Sequence, residues 1–161
     1  MFIQKKIFMR YICLLSLVVL FSCKGIESSS EKEGDNIAFQ TLITASQSNI
    51  EKPQQTIISS QKQLQQVFSE INKTRKPGIP IPEINFNDEV VVFINMGQSS
   101  TGGYSVEVES IKKINDEIVV FVGGDSPEPN DNVTMVITTP FTMVKLNKQK
   151  LPIVFKPSKT E

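Results

Sequence analysis

Between residues 37 and 157 the chain reads as short apolar-rich runs separated by polar turns, with one change of period. Ile37–Ile43, IAFQTLI, has the β-branched and aromatic content of a first strand, and Gln54–Ser59, which holds Thr56-Ile57-Ile58, reads as a second. Leu64, Val67, Phe68 and Ile71 then fall at i, i+3, i+4 and i+7, which lines one face of a helix. Ser60 with Gln63 three residues later offers a capping box, each side chain bonding a backbone N–H of the other. The spacing predicts a helix from Gln61 to Asn72 that stops before Lys76-Pro77-Gly78. Pro77, Pro80 and Pro82 keep the following segment extended and outside the centre of any sheet, because proline cannot donate to a ladder.

Beyond the prolines the period is that of strands. Glu89–Met96 contains VVVFI, apolar on both faces and so read as a buried central strand. Tyr104, Val106 and Val108 alternate with Ser105, Glu107 and Glu109, a half-buried strand with its carboxylates on the solvated face. Residues 97–102 are then expected to be the hairpin loop between these two strands. Asn115-Asp116 sits between Ile111–Ile114 and Glu117–Val122 and suits a tight turn. Val133, Met135 and Ile137 alternate with threonines and Val136 as a further strand, and Phe141–Leu146 and Pro152–Phe155 close the domain. One helix among about eight strands predicts a mainly β (α+β) fold, an antiparallel β-sandwich or open barrel with one covering helix.

The first residues change the picture from a free domain to a tethered one. Lys5, Lys6 and Arg10 precede an uncharged apolar run from Tyr11 to Phe21, shorter than the roughly 20 residues a bilayer span needs. A basic start and a short apolar run form the pattern of a secretory signal peptide. It ends in Leu20-Phe21-Ser22-Cys23, which resembles the bacterial lipobox, with Phe21 bulkier than the usual occupant. The expected organisation is a lipoprotein signal peptide over 1–22, a flexible tether over 23–36 and a β domain over 37–157. Cys23 would carry the lipid and make the membrane a partner. The SSSEKEGD stretch supports the tether, since such composition cannot bury a core. The expected location is the bacterial cell envelope, with the outer membrane preferred to the inner.

Composition then narrows the chemistry. Lys and Arg number 17, as do Asp and Glu. Three of the basic residues leave with the signal, so the mature chain is acidic and nucleic acid is not an expected partner. There is no histidine, the usual general base and the commonest metal ligand. Cys13 leaves with the signal and Cys23 is committed to lipid, so no ordinary zinc site can be assembled and no metal or cofactor is expected. Asp125-Ser126-Pro127-Glu128-Pro129-Asn130-Asp131 lacks the alternating ligands and mid-loop glycine of a calcium loop and reads as an exposed turn. No catalytic residue is assigned, and the chain reads as a protein that is not an enzyme.

The exception to the strand pattern is QSSTGGYSVEV, residues 98–108. A phosphate cradle needs a glycine-rich turn feeding a helix, whereas a strand pattern follows Gly103 and no Lys-Ser or Lys-Thr pair closes the loop. Gly102 and Gly103 instead suit a corner, glycine permitting positive φ there, with the Tyr104 ring expected in the core. The run Ser100-Thr101-Gly102-Gly103-Tyr104-Ser105-Val106 resembles the TGGYSV signature of the PrcB C-terminal domain family. So does Val133-Thr134-Met135-Val136-Ile137-Thr138-Thr139-Pro140-Phe141-Thr142-Met143-Val144-Lys145, with the final strand Ile153-Val154-Phe155 and the approach Ile84–Val91. The chain departs from the family's pattern at Phe141, where Tyr is common, and at Thr142, where His often stands.

That family is named for a lipoprotein subunit that supports assembly of a bacterial cell-surface protease complex. The resemblance implies a non-catalytic accessory or binding role outside the cytoplasm. Its partner would be another envelope or secreted protein, with proteases among the candidates. By motif position alone, the candidate partner-binding loop is Ser99, Ser100, Thr101, Gly102, Gly103 and Tyr104, flanked by Asp125, Pro127, Pro140 and Phe141. Two alternatives stand beside it. SSTGGYSV also resembles the Thr-Gly-Tyr loop of chagasin-like inhibitors, which plug protease clefts, although the tryptophans usual there are absent. The other is a structural envelope lipoprotein whose sheet edge binds by strand addition.

Overall fold

The computed structural model describes residues 34–158, whose strands divide into two sheets of four. Strands β1 (Asp35–Asn36), β5 (Glu107–Ile114), β6 (Glu117–Gly123) and β8 (Ile153–Pro157) form the first sheet in the order β1-β5-β6-β8. Strands β2 (Phe39–Ala45), β3 (Gln54–Ile58), β4 (Glu89–Asn95) and β7 (Phe141–Asn147) form the second, in the order β2-β7-β4-β3. All pairs are antiparallel except β6 with β8. The predicted mainly β fold is present, as a sandwich and not a closed barrel. Helix α1 (Gln61–Ile71) covers the second sheet's outer face, giving three layers.

β4 shows why VVVFI is apolar throughout. Val90, Val92 and Ile94 join Val106, Val108, Ile111, Ile118, Val120, Val144 and Leu146 in the core of the sandwich. The alternate residues Val91 and Phe93 join Phe141 and Met143 from β7 and Ile58, Leu64, Phe68 and Ile71 in a second core under α1. A strand with a sheet on one side and a helix on the other has no solvated face to mark with polar residues. The Phe93 and Phe141 rings lie 6.0 Å apart at 58°, a tilted aromatic pair.

The helix is one residue shorter than predicted, with Asn72 as its C-cap. The Gln63 amide donates to Ser60 Oγ at 3.3 Å, while Gln63 Oε1 accepts from the Ser59 amide at 2.9 Å. The return arm of the capping box thus lands one residue earlier than the motif implies. Residues 76–88 form no strand, as the prolines require, and Ile79, Ile84 and Phe86 pack against the core under α1.

Several expectations are corrected. β4 and β5 are not a hairpin. Both edges of β4 are occupied, by β3 and β7, so the chain crosses to the other sheet and β5 pairs with β1 and β6. β5 begins at Glu107, later than Tyr104, although Val106 and Val108 are buried and Glu107 and Glu109 exposed as the alternation predicts. Residues 133–137 form no strand, having no ladder to join. β structure also starts before residue 37: Asp35 and Asn36 pair with Lys113 and Lys112, within the stretch assigned to the tether. The Asn115-Asp116 turn is present, with Asn115 at φ 54° and Ile114 opposite Glu117. The expected signal peptide and the expected lipidation at Cys23 lie outside the described residues.

Candidate functional site

Three segments that sequence separates meet at one end of the sandwich: residues 46–49, 96–105 and 134–140. Their backbones are stitched together. Thr139 donates to the Ser46 carbonyl and its own carbonyl accepts from the Ser48 amide, each at 2.9 Å. Met96 donates to Pro140 at 2.9 Å. Ser99 and Thr138 exchange both bonds of a narrow antiparallel pair, at 2.8 and 3.0 Å. Side chains reinforce the seam, as Thr139 Oγ1 accepts from the amides of Ser48 and Asn49 at 2.8 and 3.1 Å. Thr138 Oγ1 donates to the Thr101 carbonyl at 2.9 Å.

Beneath the seam lies a buried amide. Asn95, 2% exposed, donates through Nδ2 to the carbonyls of Ile50 and Lys52, both at 2.9 Å. Its Oδ1 accepts from Ser48 Oγ at 2.6 Å. The last residue of β4 thereby holds the loop after β2 in place.

The expected loop is therefore pinned and does not project. Ser99 is half-buried by its pairing with Thr138, and Gly102 is buried, its amide donating to the Thr134 carbonyl at 2.9 Å. Thr101 is half-buried, whereas Ser100 and Gly103 are exposed. Gly103 has φ +88°, the positive backbone its residue type permits, and faces Val133 and Pro127. Tyr104 is half-buried and stays out of both cores, contrary to expectation, because the chain has not yet reached the sandwich; the buried positions begin at Val106.

The flanking residues divide. Asp125 and Pro127 do sit beside the loop: the Ser105 hydroxyl donates to Asp125 Oδ2 at 3.0 Å and accepts from the Asp125 amide at 2.8 Å. An open cleft of about 650 Å³ runs along Gly103, Asp125, Pro127, Glu128, Asp131 and Val133. Pro140 and Phe141 are buried instead, and Phe141 belongs to the core under α1. They anchor the end of the loop and offer no surface. A second open cleft, of about 610 Å³, lies between the sheets near Pro53, Met96, Val106, Val122 and Gly124.

What does project is Met135-Val136-Ile137, exposed by 84%, 59% and 57%. Its neighbours Thr134 and Thr138 are bonded to Gly102 and Ser99, and no backbone hydrogen bond of residues 135–137 is made within the described residues. The alternation of this segment suggests a strand and so conceals its exposure. The signal that distinguishes it is Val136, which places an apolar residue on the face where a half-buried strand would carry a polar one.

Among the described residues no group of three or more His, Cys, Asp or Glu side chains is placed to hold a metal ion. Fold and loop cluster together define a helix-covered β-sandwich with a braced loop end. Residues 90–147, from Val90 in β4 through β7 with every loop of the cluster that follows β4, match the family described as PrcB C-terminal. No curated protein and no solved structure matches the chain.

Proposed function

We propose that this is a non-catalytic, lipid-anchored protein of the bacterial cell envelope that binds another protein through the braced loop end. The observation that carries the reading is the apolar tripeptide Met135-Val136-Ile137, held out between two pinned threonines within the family-matched stretch. Contiguous exposed apolar residues on a well-packed domain are a mark of protein interaction. The family's name implies association with a protease complex, which makes an accessory role in such a complex the particular form of the proposal. The lipobox-like Cys23 supports anchoring, and the absence of histidine from the sequence supports a role without acid–base chemistry.

The test is purification of the full chain from detergent-solubilised envelopes of the cells that make it. Recovery of a stoichiometric protein partner agrees with the proposal. A homogeneous chain without a partner, or substrate turnover traced to its own side chains, defeats it. Cys23→Ser is expected to release the protein from membranes, and unchanged fractionation would remove the lipid anchor from the account.

One observation favours a second reading, protease inhibition. A segment fixed at both ends with its backbone groups open between them is a shape a protease cleft accepts. Nanomolar inhibition of a papain-like or subtilisin-like protease by the purified chain would favour it over an accessory role.

A further inference from the structure

Resting on the protein-binding reading, we infer that the tip Met135-Val136-Ile137 enters an apolar recess on its partner whose rim carries Lys or Arg. Two independent features meet at this end of the molecule. The first is apolar: of the four large hydrophobic residues exposed among those described, three are these consecutive ones. They gain by leaving water, and their open backbone amides and carbonyls can pair with a partner's chain.

The second feature is charge. From Asn115 to Val144 the sequence contains Asp116, Glu117, Asp125, Glu128 and Asp131 and no Lys or Arg. Asp125, Glu128 and Asp131 line the open cleft that also includes Gly103 and Val133, two residues before Met135. Residues 96–106, the other wall of the loop end, carry no charge at all. Of the cations on neighbouring segments, Arg75 is engaged with the Gln47 carbonyl on the Thr139 side of the seam, and Lys52 and Lys156 adjoin Pro53 and Pro157 of the other cleft. The tip thus rises beside a one-sided acidic border.

An acidic border selects among occupants. Anionic lipid surfaces and a second copy presenting the same border are both disfavoured by like-charge repulsion. A cationic rim around an apolar recess complements it, and such rim charges act chiefly on association rate and on rejection of wrong partners. The tip itself, once desolvated, would act on dissociation.

The experiment places a benzophenone amino acid at Val136 in the full chain in cells, with a second version labelled at Gln55 on the β3 edge. The expected result is a crosslink from Val136 to one protein, at an apolar residue flanked by Lys or Arg. With that protein purified, Val136→Asp should weaken binding by at least about tenfold. Neutralising Asp125→Asn, Glu128→Gln and Asp131→Asn together should slow association several-fold and flatten its dependence between about 0.05 and 0.5 M salt. Retained circular dichroism and melting temperature check that each variant is folded. Crosslinking to lipid in phosphatidylethanolamine–phosphatidylglycerol vesicles, or to a second copy, overturns the inference, as does a recess lacking cations. A protein crosslinked from Gln55 and not from Val136 overturns it while leaving protein binding standing. No protein crosslinked from either position removes both.

Discussion

The amide of Gly102 donates to the carbonyl of Thr134 at 2.9 Å, so close that a methyl group added at Gly102 would run into the Thr134 hydroxyl. The two residues come from different parts of the family-matched stretch, and their approach fixes one foot of the projecting tip. Gly102→Ala should therefore destabilise the fold chiefly through Thr134. In a Thr134→Ala background the same change should cost measurably less, a coupling read by urea unfolding of all four proteins in a double-mutant cycle. Strict additivity would mean that the close approach has no energetic weight.

Gly103, next along, fails for a different reason. Its φ of +88° is a backbone state that L side chains rarely adopt. Gly103→Ala should cost about 1–2 kcal/mol from the backbone alone, and Gly103→Val more, because a β-branched residue tolerates that region least. No partner substitution is expected to rescue either variant. That outcome separates Gly103 from Gly102 in the same unfolding experiment.

How far the fold could be read from the sequence depends on whether a residue's surroundings are local. The face of α1 and the two-sided burial of β4 are legible because periodicity reports burial directly: Leu64, Phe68 and Ile71 are buried, as are Val90 to Ile94. The crossing from β4 to β5 is not legible. It follows from both edges of β4 being taken, a fact set by residues 54–58 and 141–147, far off in sequence. For the loop end the same limit applies with the opposite result. Ser99 to Gly103 look like the protruding element, yet Thr134 and Thr138 pin them, while Met135 to Ile137 look like a strand and stand exposed.

Asn95 offers a test of the brace beneath that end. Asn95→Ala leaves the Ile50 and Lys52 carbonyls without this donor and the Ser48 hydroxyl proton without its acceptor, and should cost about 1–3 kcal/mol in urea unfolding. Asn95→Asp should be worse at neutral pH, since it sets a carboxylate oxygen against two carbonyls. Partial recovery on acidification would follow, because the protonated acid can donate again. Equal stability of the two variants across pH would argue against this donor geometry.

The Glu89–Lys145 pair gives the acid dependence its sign. Lys145 Nζ donates to Glu89 Oε1 at 2.8 Å across the β4–β7 ladder, and the Asn85 amide donates to Oε2 at 3.1 Å. The Lys145 hydrogen bond first, then the Asn85 amide, holds the Glu89 carboxyl below its ordinary value of 4.5. A depressed folded-state value means that the pair's contribution is fully present above the unfolded value. It is lost as pH falls through the lower folded one. The urea midpoint difference between the native protein and Glu89→Gln should hence be greatest near neutrality and shrink below pH 4.5. Added salt should reduce it too, as the pair is partly solvated. A difference that grows on acidification would contradict the assignment.

The sharpest contrast lies within the nine residues from Val133 to Phe141. Phe141 is fully buried against Phe93, and Phe141→Ala removes an aromatic ring from the core under α1, at a cost of about 3–5 kcal/mol. Val136 stands 59% exposed only five residues earlier, so Val136→Asp should change unfolding stability by no more than about 0.5 kcal/mol. Met135→Ser and Ile137→Ser should behave alike. Urea unfolding of the variants side by side reads both outcomes. If Val136→Asp were to destabilise the domain as strongly as Phe141→Ala, the tripeptide would be packing against its own molecule, and its apolar character would need no partner. If it leaves stability intact, folding gives no reason for three consecutive apolar side chains to face water, and recognition remains the physical account of their presence.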